Sequence, residues 1–139
     1  MASAQQPGAV GQVNPLLQSK ITVPDPPAFM VPRDRLSTRL LSCGRDQVTV
    51  VTGPAGSGKT QAVAAWVRGG RDTDQVAWIT LEEGDSTPAV FWTYVVESLR
   101  RVGVPLFPGR ADPVPPDAVT RAFLIRLAAQ LAGQPRPVT

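Results

Sequence analysis

The 139-residue chain contains no histidine and a single cysteine, Cys43. Without imidazole, His-based triads are excluded along with the usual His/Cys zinc sets, and one thiol cannot close an internal disulfide. Cys43 reads as a small buried apolar residue, since no neighbouring base supports a nucleophile. Lysine is scarce too. Twelve arginines and two lysines, Lys20 and Lys59, make up the 14 basic residues against 11 acidic ones, for a net charge of +3. The arginines are scattered, whereas a nucleic-acid footprint is a clustered face or helix stripe, so direct DNA binding by these residues is not expected. Apolar runs are short. None approaches the ~18 residues of a spanning helix, and MASAQQPGAVGQVNP has neither the basic nor the apolar region of a secretory signal. The expected address is the cytoplasm, with no membrane partner.

Proline, by contrast, is plentiful, with 15 residues. Residues 1–14 are small and polar and read as a disordered leader. Residues 15–46 form a segment that precedes the core: ITVPDPPAFMVP is kept extended by its prolines, and RDRLSTRLLSCG spaces Leu36, Leu40 and Leu41 as a short helix stopped by Gly44. From residue 47 to 139 the pattern is that of a partial nucleotide-binding domain. QVTVVT (47–52) and VAWITL (76–81) are β-branched, nearly continuous apolar runs, which predicts two buried parallel strands separated by a helix to about Arg68 and the turn GGRDTDQ. A second helix is predicted with Thr87 as N-cap, Pro88 at its first position and a stripe of Phe91, Tyr94, Val95, Leu99 and Val102. After the Pro/Gly-rich loop 103–116, a third runs over 117–133 with Val119, Phe123, Leu127 and Leu131 in register. Trp66, Trp78, Phe91, Trp92 and Tyr94 fall on faces suited to the core rather than to base stacking.

Between the first strand and the first core helix lies VTGPAGSGKT. Gly53-Pro54-Ala55-Gly56-Ser57-Gly58-Lys59-Thr60 matches G-x-x-x-x-G-K-[ST] in the strand-to-helix context that gives the motif meaning. Glycines let successive backbone N–H groups face an anion, and the helix N-terminus adds its partial positive charge. Lys59 is placed to neutralise the β- and γ-phosphates, and the Thr60 hydroxyl to ligate Mg²⁺. The other element such a site uses, an acid at the end of a neighbouring strand, has only Glu82, Glu83 and Asp85 as candidates. These acids also precede a helix start, where the dipole alone favours negative charge. No catalytic residue is assigned, and nucleotide binding without efficient hydrolysis is expected.

The segments PLLQSKITVPDPPAFMVPRDRL, VTVVTGPAGSGKTQAVAAW and VAWITLEEGDSTPAVFWTYVVESLRRVGV together resemble the start of the ATPase module of MalT-type, LuxR-family ATP-binding transcriptional regulators, in the STAND class of P-loop NTPases. The resemblance covers residues 15 to about 104. It implies an α/β P-loop NTPase fold, a parallel sheet with flanking helices, truncated before the acidic (Walker B) strand. It also implies ATP or ADP with Mg²⁺ as ligands and a nucleotide-switched transcriptional output, with DNA contacted only through regions outside this chain. Val31, Pro32 and Arg33 would lie near the adenine or ribose. For Arg33 the alternative is a surface charge at a helix start. Two departures are visible: Gln61 stands where the family often has a second threonine, and Ser57 where an aromatic is frequent.

Two other readings stay open. A small-molecule or nucleotide kinase would need basic lid residues, for which Arg100, Arg101 and Arg110 are the only hints. A non-catalytic assembly module would self-associate through an unpaired sheet edge.

Overall fold

A computed structural model describes residues 15–31, 33–42, 48–69, 75–107 and 119–139. The expectations for the 1–14 leader, Pro32, Cys43, Gly44, the strand start at Gln47, the 70–74 turn, Arg110 and the first residues of the last helix fall outside them. The elements, in chain order, are α1 (Pro15–Lys20), α2 (Asp34–Leu41), α3 (Lys59–Gly69), a single 3₁₀ turn (Glu83–Asp85), α4 (Pro88–Arg101) and α5 (Arg121–Ala132).

The expected parallel sheet is not formed. Among the described residues there is no β-strand, and a single parallel bridge joins Gln75 to Val138. Residues 48–52, expected to be buried on both faces, instead leave Val48 and Val50 94% and 76% exposed. The 76–81 segment runs half-buried without a ladder. Its backbone groups are shared among separate partners: Thr80 N–H donates to the Lys20 carbonyl (2.7 Å), Ala77 N–H to the Thr139 carbonyl (2.8 Å), and Gln75 C=O accepts from Thr139 N–H (2.8 Å). A sheet requires two segments to share a run of bonds, and β-branched composition selects a pleated, half-buried surface without specifying the partner. The described residues are therefore helices joined by extended segments, not an α/β parallel sheet.

The helices follow the local signals. α4 opens with Thr87 in extended conformation and Pro88 at its first position, and closes with Arg100 and Arg101 in its last turn, where cations complement the carbonyl end. Its stop is a two-bond C-terminal motif, with Gly103 N–H donating to Arg100 C=O (2.9 Å) and Val104 N–H to Leu99 C=O (3.1 Å). Gly103 has φ +85°, a conformation that costs a residue with a Cβ about 1 kcal/mol or more, so glycine makes the reversal possible. The reversal sends Val104 and Leu106 inward, where both are buried. α5 begins later than the expected 117–133 span: the described Val119 and Thr120 are not helical, and the helix starts after a Thr120 cap whose hydroxyl accepts from Phe123 N–H (3.2 Å).

These two helices and the 104–107 turn enclose the main core: Val96, Leu99, Val104, Leu106, Phe107, Phe123 and Leu127. Val95, Val102, Val119 and Leu131 pack against it, so all four expected positions of the last stripe and Val95, Leu99 and Val102 of the α4 stripe reach this core, whereas Phe91 and Tyr94 are not part of it. Trp92 also packs against it, meeting Phe123 edge-on at 5.7 Å between ring centroids, while Phe107 stacks on the same ring at 5.4 Å.

The loop-bearing part of the molecule is organised around α3, which packs against α2. Ala62 and Ala64 are its buried residues. Near its C-terminus the Arg68 guanidinium donates to the Val23 carbonyl (2.9 Å) and the Pro24 carbonyl (3.1 Å), and pairs with Asp25 (2.7 Å). This clamp fixes the proline-rich segment along the helix by its carbonyls, which keep their acceptor capacity where proline supplies no N–H for a ladder.

Candidate functional site

Residues 53–58 curl back on themselves ahead of α3. Ser57 N–H donates to Pro54 C=O (3.3 Å), and a Cβ on Gly53 would stand 3.0 Å from Ser57 Oγ. Gly56 and Gly58 take φ +73° and +77°, the left-handed region where a side chain is strained, so glycine is required twice within three residues. Gly58 C=O accepts from Ala62 N–H (2.9 Å), which makes Gly58 the entry to α3 and leaves the first-turn N–H groups without intrahelical acceptors.

Lys59, the first residue of α3, bends its ammonium back over the loop and donates to the carbonyls of Gly53 (2.9 Å) and Pro54 (2.8 Å). Thr60 follows and is exposed. Arg33, immediately before α2, reaches the same loop: Nη1 donates to Ser57 C=O at 3.0 Å, and Nη2 lies 3.7 Å from where a Gly58 Cβ would be. Neither Lys59 nor Arg33 has a carboxylate partner among the described residues. Among the described residues, two cations thus meet at one glycine loop with no carboxylate beside them, each held by carbonyl oxygens. This arrangement fits an anion of several negative charges.

The residues anticipated for the site divide accordingly. Gly53, Pro54, Ser57, Gly58, Lys59 and Arg33 come together through the contacts above, Ala55 and Gly56 form the exposed bend between them, and Thr60 opens the helix. Val31 is exposed, and Pro32 lies outside the described residues.

The acidic trio has a different occupation. Asp85 is 8% exposed and accepts from the Lys20 ammonium, from Glu82 N–H (2.9 Å) and from the Tyr94 hydroxyl (3.2 Å). Lys20 also pairs with Glu82 at 3.2 Å and stands over the Tyr94 ring, 5.5 Å from its centroid. The Lys20 hydrogen bond, aided by the Glu82 amide, holds the Asp85 carboxyl below the ordinary carboxylate range against the opposing effect of desolvation. The same bond raises the Lys20 ammonium, again against desolvation. Sequence reading passed over Lys20. The available signal was that it is one of only two lysines, 62 and 65 positions before two of the three clustered acids.

A pH dependence follows. Because the Asp85 pKa is lowered on folding, its contribution is complete above the ordinary carboxylate pKa, about 4, and drains away as pH falls through the lower native value. Lys20, raised, contributes fully below about pH 10 and loses its contribution as pH climbs through its native value. Asp85→Asn is expected to lower stability at neutral pH and to flatten the acid limb of a thermal-denaturation series. An acid limb as steep as that of the wild type would show that other carboxylates govern acid unfolding.

Over 85 residues, 61% of its length, this chain is 38% identical to the HTH-type transcriptional regulator MalT of Serratia proteamaculans (strain 568). It is 34% identical over 85 residues to the MalT regulator of Yersinia enterocolitica and 30% identical over 86 residues to that of Cronobacter sakazakii. The chain carries a MalT-related region. It spans about 9% of the length of these curated relatives. No protein-family model matches, and no solved structure matches. Among the described residues of this MalT-related chain, no helix is long and apolar enough to cross a membrane.

Proposed function

We propose that the 53–60 loop binds the phosphates of ATP or ADP together with Mg²⁺, and that in a MalT-like regulator the nucleotide state biases the conformational equilibrium that controls transcription. The observation that carries the reading is the meeting of Lys59 and Arg33, both without carboxylate partners among the described residues, at a loop of sequence G-x-x-x-x-G-K-T. Lys59 would leave the Gly53 and Pro54 carbonyls for the phosphates, the first-turn N–H groups of α3 would donate to them, and Thr60 would supply a hydroxyl to Mg²⁺. The metal ion would shield the charge of the phosphate oxygens. The kinship with MalT regulators supports the transcriptional part.

Slow turnover is part of the proposal, since Asp85 is engaged by Lys20 and Tyr94 rather than free to orient a metal ion or water. The kinase reading gains nothing from its two described arginines: Arg100 pairs with Glu97 at 2.7 Å, and Arg101 donates to the Gln18 side chain. Self-association remains part of the proposal through the exposed Val48 and Val50, and sedimentation of the same sample would read it.

The test is a titration of the chain with a fluorescent ATP analogue and Mg²⁺, with circular dichroism reporting the fold. Saturable binding in the micromolar range, competed by unlabelled ATP and ADP, is the expected result. A folded chain that binds neither nucleotide at millimolar concentration would overturn the proposal.

A further inference from the structure

We infer that Arg33 is a phosphate-side residue of the 53–60 loop, positioning the loop through Ser57 and adding a second positive charge for a polyphosphate, rather than a residue that recognises the base or sugar. The inference rests on reading the loop as a nucleotide-phosphate site and assigns Arg33 a part in it that the family resemblance did not.

Three observations carry it. The guanidinium is bonded to the loop itself, with Nη1 on Ser57 C=O at 3.0 Å and Nη2 beside Gly58. Among the described residues it has no carboxylate partner, and Ser57 C=O is the one acceptor it engages. A guanidinium carries five N–H donors in a planar fork, so one bond to a carbonyl leaves donors and the full charge for a second acceptor. Finally, Arg33 immediately precedes α2, which packs on α3, the helix that begins at Lys59. Both cations are therefore carried by one packed helix pair.

The two play different parts. Lys59 has a flexible stem and must exchange its two carbonyls for phosphate oxygens, whereas Arg33 can keep its hold on Ser57 while its remaining donors meet the anion. Lysine at position 33 has a single ammonium point and no fork.

Calorimetric titration of the full chain with Mg-ATP, with inorganic tripolyphosphate and with adenosine separates phosphate recognition from base recognition. Arg33→Ala and Arg33→Gln are expected to weaken ATP and tripolyphosphate by the same factor, on the order of tenfold. Arg33→Lys should recover only part of that loss, adenosine binding should not change, and melting temperatures should stay near that of the wild type because the side chain is exposed. Weaker ATP binding with unchanged tripolyphosphate binding would overturn the inference and return Arg33 to the nucleoside. Unchanged binding of both ligands by a wild-type-like variant would overturn it as well, leaving Arg33 a surface charge. If the folded wild type bound neither ATP nor tripolyphosphate, the loop assignment itself would fall, and the inference with it.

Discussion

Lys59→Ala is expected to weaken Mg-ATP binding by roughly ten- to a hundredfold, the effect of removing about 1.5–3 kcal/mol of charge-assisted hydrogen bonding. The substitution should leave the fold standing, because the two carbonyls that Lys59 now occupies, those of Gly53 and Pro54, belong to exposed residues that water can satisfy. Affinity and stability should therefore separate: a large loss in a nucleotide titration, a melting temperature within a few degrees of the wild type. If binding survived the substitution, the lysine would be only a clasp on its own loop. If binding and fold were lost together, the clasp would be structural, and the electrostatic account of the site would fail.

Phe123→Ala should produce the largest loss of stability in the chain, about 3–5 kcal/mol. Phe123 is 1% exposed at the centre of the main core, with Trp92 edge-on at 5.7 Å and Phe107 stacked at 5.4 Å. Truncation would open a cavity that neither neighbour can collapse into without leaving its own packing, and would also remove two aromatic pairs. Against the 5–15 kcal/mol that typically separates folded from unfolded domains, this loss is a large share of the total. Urea denaturation followed by tryptophan fluorescence reads it directly, because Trp92 touches the deleted ring. Phe123→Leu, which keeps much of the volume, should cost markedly less. Equal midpoints for wild type and Phe123→Ala would show that the α4–α5 core does not govern cooperative unfolding.

The contrast between the helices and the missing sheet shows how far sequence reading reached. Helical signals are local. Pro88 after Thr87 and the spacing Phe123, Leu127, Leu131 each act within a few residues, and α4 starts where its signals place it, whereas α5 begins only at Arg121, after a Thr120 cap that the spacing did not single out. Some local detail still escaped. The short α1 over Pro15–Lys20 carries no strong periodic signal, and the Gly103 reversal, read only as loop, turns out to be a two-bond helix stop. The glycine turn ahead of α3 was equally legible, since three glycines, a lysine and a helix start within eight residues are all a matter of adjacency.

Pairing between distant segments was not legible. The apolar runs 47–52 and 76–81 determine a preference for extended backbone, and both described segments are free of helix. Composition carries no address for the other half of a ladder, and Thr80 and Ala77 bond instead to Lys20 and Thr139. The same limit applies to charge. Nothing near Asp85 in the chain announced Lys20 as its partner, and spacing alone did not direct the Arg33 guanidinium to Ser57. By itself the sequence determined the positions of α2, α3 and α4 and most of the apolar positions of α4 and α5 that reach the core, because those depend on neighbours three or four residues away. Only the tertiary structure decided which extended segment meets which, and which cation faces which oxygen, because those outcomes depend on how segments far apart in the chain compete for the same backbone groups and charges.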